Sequence, residues 1–208
     1  LSFQCEDGLF RDPLVDNDIA EHEDWWGWRH LTAHAIMAVH ALGGKINTPL
    51  LFLDILDSRS KVHAWLDSLD WGCRIAFTSN TILNYGIAMQ YSRDFMNASK
   101  FEGSVSTLLE GLTSRCSQMT GLWGSDFKDE YEALSQGVQA GYHFWLLYWW
   151  DGQEIPYYQK AHKHIIQLEK KNATISSLSN SFSACEDIDS IHPLVQLGVR
   201  HSSLYNAS

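Results

Sequence analysis

Apolar residues recur at steps of three and four along most of this chain, and no segment alternates strictly between apolar and polar positions. The first spacing is that of one helix face, and the second would mark a strand. β-branched residues are sparse, so the pattern predicts an all-α protein. An acidic entry, Glu21-His22-Glu23-Asp24, precedes a helix to about Leu42 whose apolar stripe is Trp28, Leu31, Ala35, Ala38 and Leu42. Gly43-Gly44 ends it. After Pro49, Leu50 to Asp70 reads as a second, broken helical arm. A long helix follows from about Arg74 to Met96, with Ser79-Asn80 interrupting its first part, and then an arm from Val105 to Gln118. From about Glu130 to Trp150 the helix is apolar nearly all round. Tyr131, Leu134, Val138, Tyr142, Trp145 and Trp149 form one of its stripes, which predicts burial on all sides. Pro156 opens a more polar outer arm to Lys171. Ser176 to Ala184 is a Ser-rich loop, and Cys185-Glu186-Asp187 opens a last helix with Pro193 in its first turns.

Punctuation between these helices repeats. Gly8-Leu9-Phe10 reappears as Gly121-Leu122-Trp123, and Cys5-Glu6-Asp7 reappears as Cys185-Glu186-Asp187. Ser2-Phe3 and Pro13-Leu14-Val15 flank the first copy of the second pair, and Ser181-Phe182 and Pro193-Leu194-Val195 flank the other. Asp70-Trp71-Gly72 falls near the intermediate position of a common period. A fixed period of this length marks a repeat architecture. The helix after each punctuation is the more apolar and the next arm is amphipathic, as expected of inner and outer helices. Residues 1–208 therefore read as a single α/α toroid, or an open arc, of about three to four helical hairpins.

Gln118-Met119-Thr120-Gly121-Leu122-Trp123 resembles the Q-x2-5-G-x-W end of the repeats in terpenoid cyclases and prenyltransferases. The same helical-hairpin toroid is used by six-hairpin glycosidases and several polysaccharide lyases. The resemblance implies the architecture and leaves the chemistry open, because such folds host unrelated reactions. The D-x-D-D acid motif of the protonating cyclases does not occur, and the Asp, Cys and His zinc set of prenyltransferases is not recognisable. Closed toroids of this kind hold more hairpins than this chain supplies, so the chain reads as an open arc or an excerpt of a longer protein.

Composition narrows the partners. A formal net charge of −10 argues against nucleic acid, whose phosphates require clustered Lys and Arg. A neutral sugar or a cationic ligand suits that balance, and nine tryptophans supply stacking surface. No run of about 18 apolar residues occurs, so no membrane span is expected. Cys5, Cys73, Cys116 and Cys185 form no CxxC pair and read as free buried thiols. The sequons Asn97-Ala98-Ser99, Asn172-Ala173-Thr174 and Asn206-Ala207-Ser208 point to a secreted chain, here without an initiator Met or a signal peptide. The oligomeric state is left open.

In a toroid the inner helices run parallel and their N-terminal ends share one mouth. Candidate site residues are those just after each punctuation. Asp24-Trp25-Trp26-Gly27-Trp28-Arg29-His30 is the densest cluster. Its structural reading is a hairpin rim packed with rings; its functional reading is a stacking platform beside an Arg and a His. Ser79, Asn80 and Asn84, the acids Asp126 and Asp129, and Glu186, Asp187 and Asp189 belong to the same mouth. Glu21, Glu23 and Asp129 read as ordinary helix-start acids. His30 and His34 stand one turn apart, a spacing that can bind a metal. Two imidazoles alone make a weak metal site, so they read as polar lining, and no metal is expected. His143, within an apolar helix, reads as a core histidine. No phosphate loop or dinucleotide fingerprint occurs, and no cofactor is expected.

The expected function is glycoside cleavage by acid and base. Asp24 and either Asp187 or Asp189 are the candidate catalytic carboxylates. Trp26, Trp28 and Trp123 would stack on the sugar, and Arg29, His30, His34, Asn80 and Glu186 would bind it. A lyase with His34 or His143 as base is a close variant. The alternatives are a non-catalytic helical scaffold, with rings as core and acids as caps, and an isoprenoid enzyme. The latter would need an apolar aromatic funnel with Asp187 and Asp189 on a metal and diphosphate.

Overall fold

The computed structural model describes residues 4–15, 26–125, 130–176 and 184–200, with side chains throughout except at 173–176, 184–187 and 197–200. Seven α-helices lie among them: α1 (Gly27–Ala41), α2 (Arg59–Ser68), α3 (Ile75–Phe95), α4 (Glu102–Arg115), α5 (Glu130–Trp150), α6 (Tyr158–Ser176) and α7 (Ala184–Arg200). Two 3₁₀ turns, Leu51–Leu56 and Ser99–Phe101, complete the regular structure. Among the described residues there is no strand, only an isolated bridge between Gln4 and Phe10. The protein is all-α. No described helix is long and apolar enough to cross a membrane.

Helices of one kind pack on each other. The most extensive contact is between α3 and α5; α1 packs on the free side of α3 and α7 on that of α5. The intervening helices form their own contacts, α2 with α4, and α6 with α5 and α7. Burial follows the same alternation. α3 is buried on nearly every face from Thr78 to Ser92, whereas α2 buries only Val62 and Leu66. A helix of small and apolar residues has no polar face to give to water, so it fills the interior. Gly86 lets α3 and α5 approach closely, since a Cβ there would lie 2.7 Å from Leu147 Cδ2. At their C-terminal ends Arg93 clamps the pair, reaching both carboxylate oxygens of Asp151 at 2.7 and 3.1 Å. Gln90, also on α3, donates to the same carboxylate at 3.0 Å.

Several expected elements are changed by side-chain packing. Ser79-Asn80 does not interrupt α3, because the Ser79 hydroxyl donates to the Ala76 carbonyl at 2.8 Å and so finds its partner inside the helix. The arm from Leu50 divides into a 3₁₀ turn and α2, separated at Ser58, whose backbone is extended. The expected α1 stripe holds at Trp28 and fails beyond it. The helix buries Gly27, Trp28, Thr32, Ala33 and Ile36, whereas Leu31 and Ala38 are exposed and Leu42, just past its end, is 88% exposed. Pro193 lies in the middle of α7, not in its first turns. The acidic entry Glu21 to Asp24, Asp126, Asp129 and most of the Ser-rich loop lie outside the described residues. Cys5, Cys73 and Cys116 are free thiols, but only Cys116 is buried; Cys5 is half-buried and Cys73 exposed.

Candidate functional site

The punctuation motif has a structural explanation. Gly121 adopts φ +71°, and a Cβ on it would meet Tyr157 O and Ala161 N, both at 2.7 Å. Gly8 adopts φ +87° and sits equally tight against Pro49 O. Only glycine fits a left-handed residue pressed on another backbone. The two residues after each glycine, Leu9-Phe10 and Leu122-Trp123, are buried. Trp123 donates its indole N–H to Leu112 O at 2.8 Å and meets Phe144 edge-on, ring centres 5.0 Å apart. Trp71 does the corresponding work one hairpin earlier, donating to Leu66 O at 2.7 Å and packing on the same Phe144. Both indoles tie a carbonyl of the preceding helix, Leu66 O on α2 and Leu112 O on α4, to the interior.

This corrects two expected stacking residues. Trp123 is core, and Trp28 is only 2% exposed, packed with Leu9 and Phe52. Trp123 offers no face to a sugar, and Trp28 keeps only that small exposure, at a cleft beside Trp26. Trp26 offers one, with 39% of its surface exposed at the start of α1. Arg29 places its guanidinium 6.0 Å above the Phe52 ring. Asn80 is half-buried. Asp189 is buried on α7. Glu186 and Asp187 lie in the first turn of α7 with their side chains outside the described residues, and Asp24 lies wholly outside them.

The described side chains assemble a polar seam across α1, α3, α5 and α7, inside an interior otherwise made of Leu, Ile, Phe and Trp. On α1, His30 and His34 meet edge-on with ring centres 4.3 Å apart. His30 Nδ1 lies 3.2 Å from Asn84 Oδ1 on α3, where the amide is wholly buried. Ser79 Oγ lies 2.9 Å from His143 Nδ1 on α5. Tyr142, beside His143, holds its hydroxyl 3.3 Å from His192 Nδ1 on α7, and the Asp189 charge is near enough to act on that phenol.

Hydrogen-bond partners assign the ring protons. Asn84 Oδ1 can only accept, so His30 carries its proton on Nδ1. The Ser79 proton goes to Ala76 O, so Ser79 accepts from Nδ1 of His143. Both rings are left with a bare Nε2 lone pair. Gln196 Nε2 lies 3.3 Å from His192 Nε2 and donates to it. His192 Nδ1–H then points at the Tyr142 oxygen, leaving the Tyr142 proton to another acceptor.

Electrostatics fix the charge states. Although part of His143 remains accessible, the ring lies deep in the packing. Burial first, then the His30 and His34 charges, push its pKa down to about 3. Burial also lowers His30, opposed by its bond to Asn84. His34 is exposed at its outer edge, yet the enclosed part of its ring and then the His30 charge lower it as well. Burial, then Asp189, raise the Tyr142 phenol. At neutral pH the seam therefore offers uncharged imidazole acceptors on one side and a protonated phenol on the other. Among the described residues no three His, Cys, Asp or Glu converge closely enough to hold a metal ion.

A cleft of about 300 Å³ opens beside the seam, its lining including Trp26, Trp28, His30, Leu31, His34 and Asp12. No protein family, curated protein or solved structure matches this chain.

The expected cluster at Trp26, His30 and His34 falls on this cleft. Tyr142 and His192 were not expected. Tyr142 was hidden in the aromatic stripe of α5, and His192 stood without a neighbour of its kind.

Proposed function

We propose that this chain is a carbohydrate-active enzyme, an α/α toroid or open arc that cleaves a glycosidic bond by acid and base. In this reading α1, α3, α5 and α7 are the inner helices and the polar seam lines their cavity. One carboxylic acid protonates the leaving oxygen while a carboxylate activates water or attacks the anomeric carbon. Asp24, two positions before Trp26, and Asp187 or Asp189 at the start of α7 fill these roles. His30, His34 and Asn80 bond sugar hydroxyls, and Trp26 stacks on a ring face. The observation that carries the reading is the seam itself: neutral acceptors and a protonated donor, collected from four helices, beside an exposed tryptophan. An apolar funnel for an isoprenoid would lack such groups.

The test is release of reducing ends from a panel of neutral and uronic polysaccharides. The wild-type chain turns over at least one, and Asp187→Asn with Asp189→Asn abolishes that turnover while the fold is kept. Full activity in the folded double variant ends the assignment of these carboxylates.

A non-catalytic scaffold is the second reading, favoured by the burial of Trp28 and Trp123 and by the packing role of both punctuation copies. It predicts no turnover on any glycan.

A further inference from the structure

We infer that the cleft beside Trp26 is a subsite for a single neutral sugar ring, not for a uronate or a phosphorylated sugar. The inference rests on the carbohydrate reading above and names the substrate class for it. The cleft, at about 300 Å³, stands at the small end of ligand pockets, which suits one monosaccharide unit. Trp26 gives it an exposed aromatic face, and a pyranose ring presents C–H groups to such a face. His30 gives it an uncharged nitrogen acceptor, since its proton is committed to Asn84, and His34 gives it an uncharged ring with one acceptor and one N–H. Sugar hydroxyls can both donate to and accept from such a pair, whereas an ionised carboxylate can use only the one N–H.

Charge points the same way. The described lining holds no lysine or arginine, and its one acidic side chain is Asp12. Asp12 accepts from the Leu14 backbone N–H at 2.9 Å, which holds it in a local turn at the rim. Among the described residues an anionic sugar would meet an acidic side chain and two uncharged imidazoles, with no cation to offset its charge. A neutral ring meets acceptors for its hydroxyls and an indole for its apolar face.

Calorimetric titration of the full chain at pH 7.5 tests this, with cellohexaose, maltohexaose and mannohexaose as neutral probes. Hexagalacturonate and hexamannuronate serve as anionic ones. At least one neutral probe binds, and neither uronate does. Trp26→Ala weakens binding about tenfold, the loss expected for one stacked ring, and His34→Ala weakens it roughly fivefold, the loss of one hydrogen bond. Both side chains are exposed, so both variants keep the wild-type melting temperature. Preferential binding of a uronate overturns the inference, and uronate cleavage would do so while leaving the carbohydrate reading intact. Neutral-sugar binding that both variants retain in full places the subsite elsewhere and also overturns it. Absence of binding to all five probes overturns the inference, and absence of glycan turnover as well removes the carbohydrate reading with it.

Discussion

Gly121 shows how a three-residue repeat can be visible in a sequence and still misread. Its recurrence after Gly8 marks two places where the backbone is left-handed and pressed on a neighbouring segment, and the bulky residues that follow are core. The glycines and rings were legible; that the rings face inward was not, because an exposed and a buried tryptophan read alike in a sequence. Gly121→Ala is expected to destabilise the fold by about 2 kcal/mol or more, combining a positive φ with a backbone clash. Gly43→Ala, left-handed but with open space around it, should cost roughly 1 kcal/mol. Denaturant titration of the two variants checks the order, and equal losses would contradict it.

The histidines give a residue-scale prediction with a defined sign. His30, His34 and His143 all have pKa values lowered in the folded chain, that of His143 to about 3. Below the unfolded value of 6.5 the unfolded chain takes up protons that the folded chain refuses. Their contribution is therefore fully present above pH 6.5 and is lost as pH falls toward the folded values. Asp7 and Asp94, lowered by Arg11 and Arg93, act further down, below the ordinary carboxylate range. The melting temperature should therefore fall between pH 7 and pH 5, and His143→Gln should flatten that slope. A flat wild-type profile over this interval would show that the imidazoles are not held neutral.

At the scale of elements, period and punctuation placed the helices well. The helix expected from about Glu130 to Trp150 is α5, but burial on all sides is not met: the face with Val138, Gly141, Phe144, Trp145 and Tyr148 is buried, while Tyr142, His143, Leu146 and Trp149 on the opposite side are half-buried. α1 departs further. Its apolar residues satisfy two different faces, and the spacing of Trp28, Leu31, Ala35, Ala38 and Leu42 is as regular as that of the face actually buried. Tertiary packing selected the face carrying Thr32, whose hydroxyl accepts from the Phe10 backbone N–H at 2.9 Å. A polar residue in the buried face hid that face from a hydrophobic pattern. Ile36→Ala is expected to cost about 2–5 kcal/mol, whereas Leu42→Lys should stay within about 0.5 kcal/mol. Chemical denaturation of both variants distinguishes the observed face from the expected stripe; a large loss for Leu42→Lys would restore the latter.

Across the whole molecule, the seam depends on residues separated by more than 160 positions, from His30 to His192. No local pattern links them; they meet because α1, α3, α5 and α7 pack in succession at matching heights. Half of the candidate site was readable at the rim, where Trp26, His30 and His34 cluster in sequence. Ser79 and Asn84 were expected at the same mouth, and they meet His143 and His30; Tyr142 and His192 join only through helix packing. The central claim is that this seam serves glycoside cleavage by the acids at the starts of α1 and α7. The most direct measurement is a crystal structure of an Asp189→Asn variant soaked with a neutral oligosaccharide that the wild type cleaves. The account predicts a sugar ring on Trp26, and the side chains of Asp24 and of residue 187 or 189 about 5 to 10 Å apart across the glycosidic oxygen. A sugar bound away from the seam, or acidic side chains each bonded to its own helix start and farther apart than that, would contradict it.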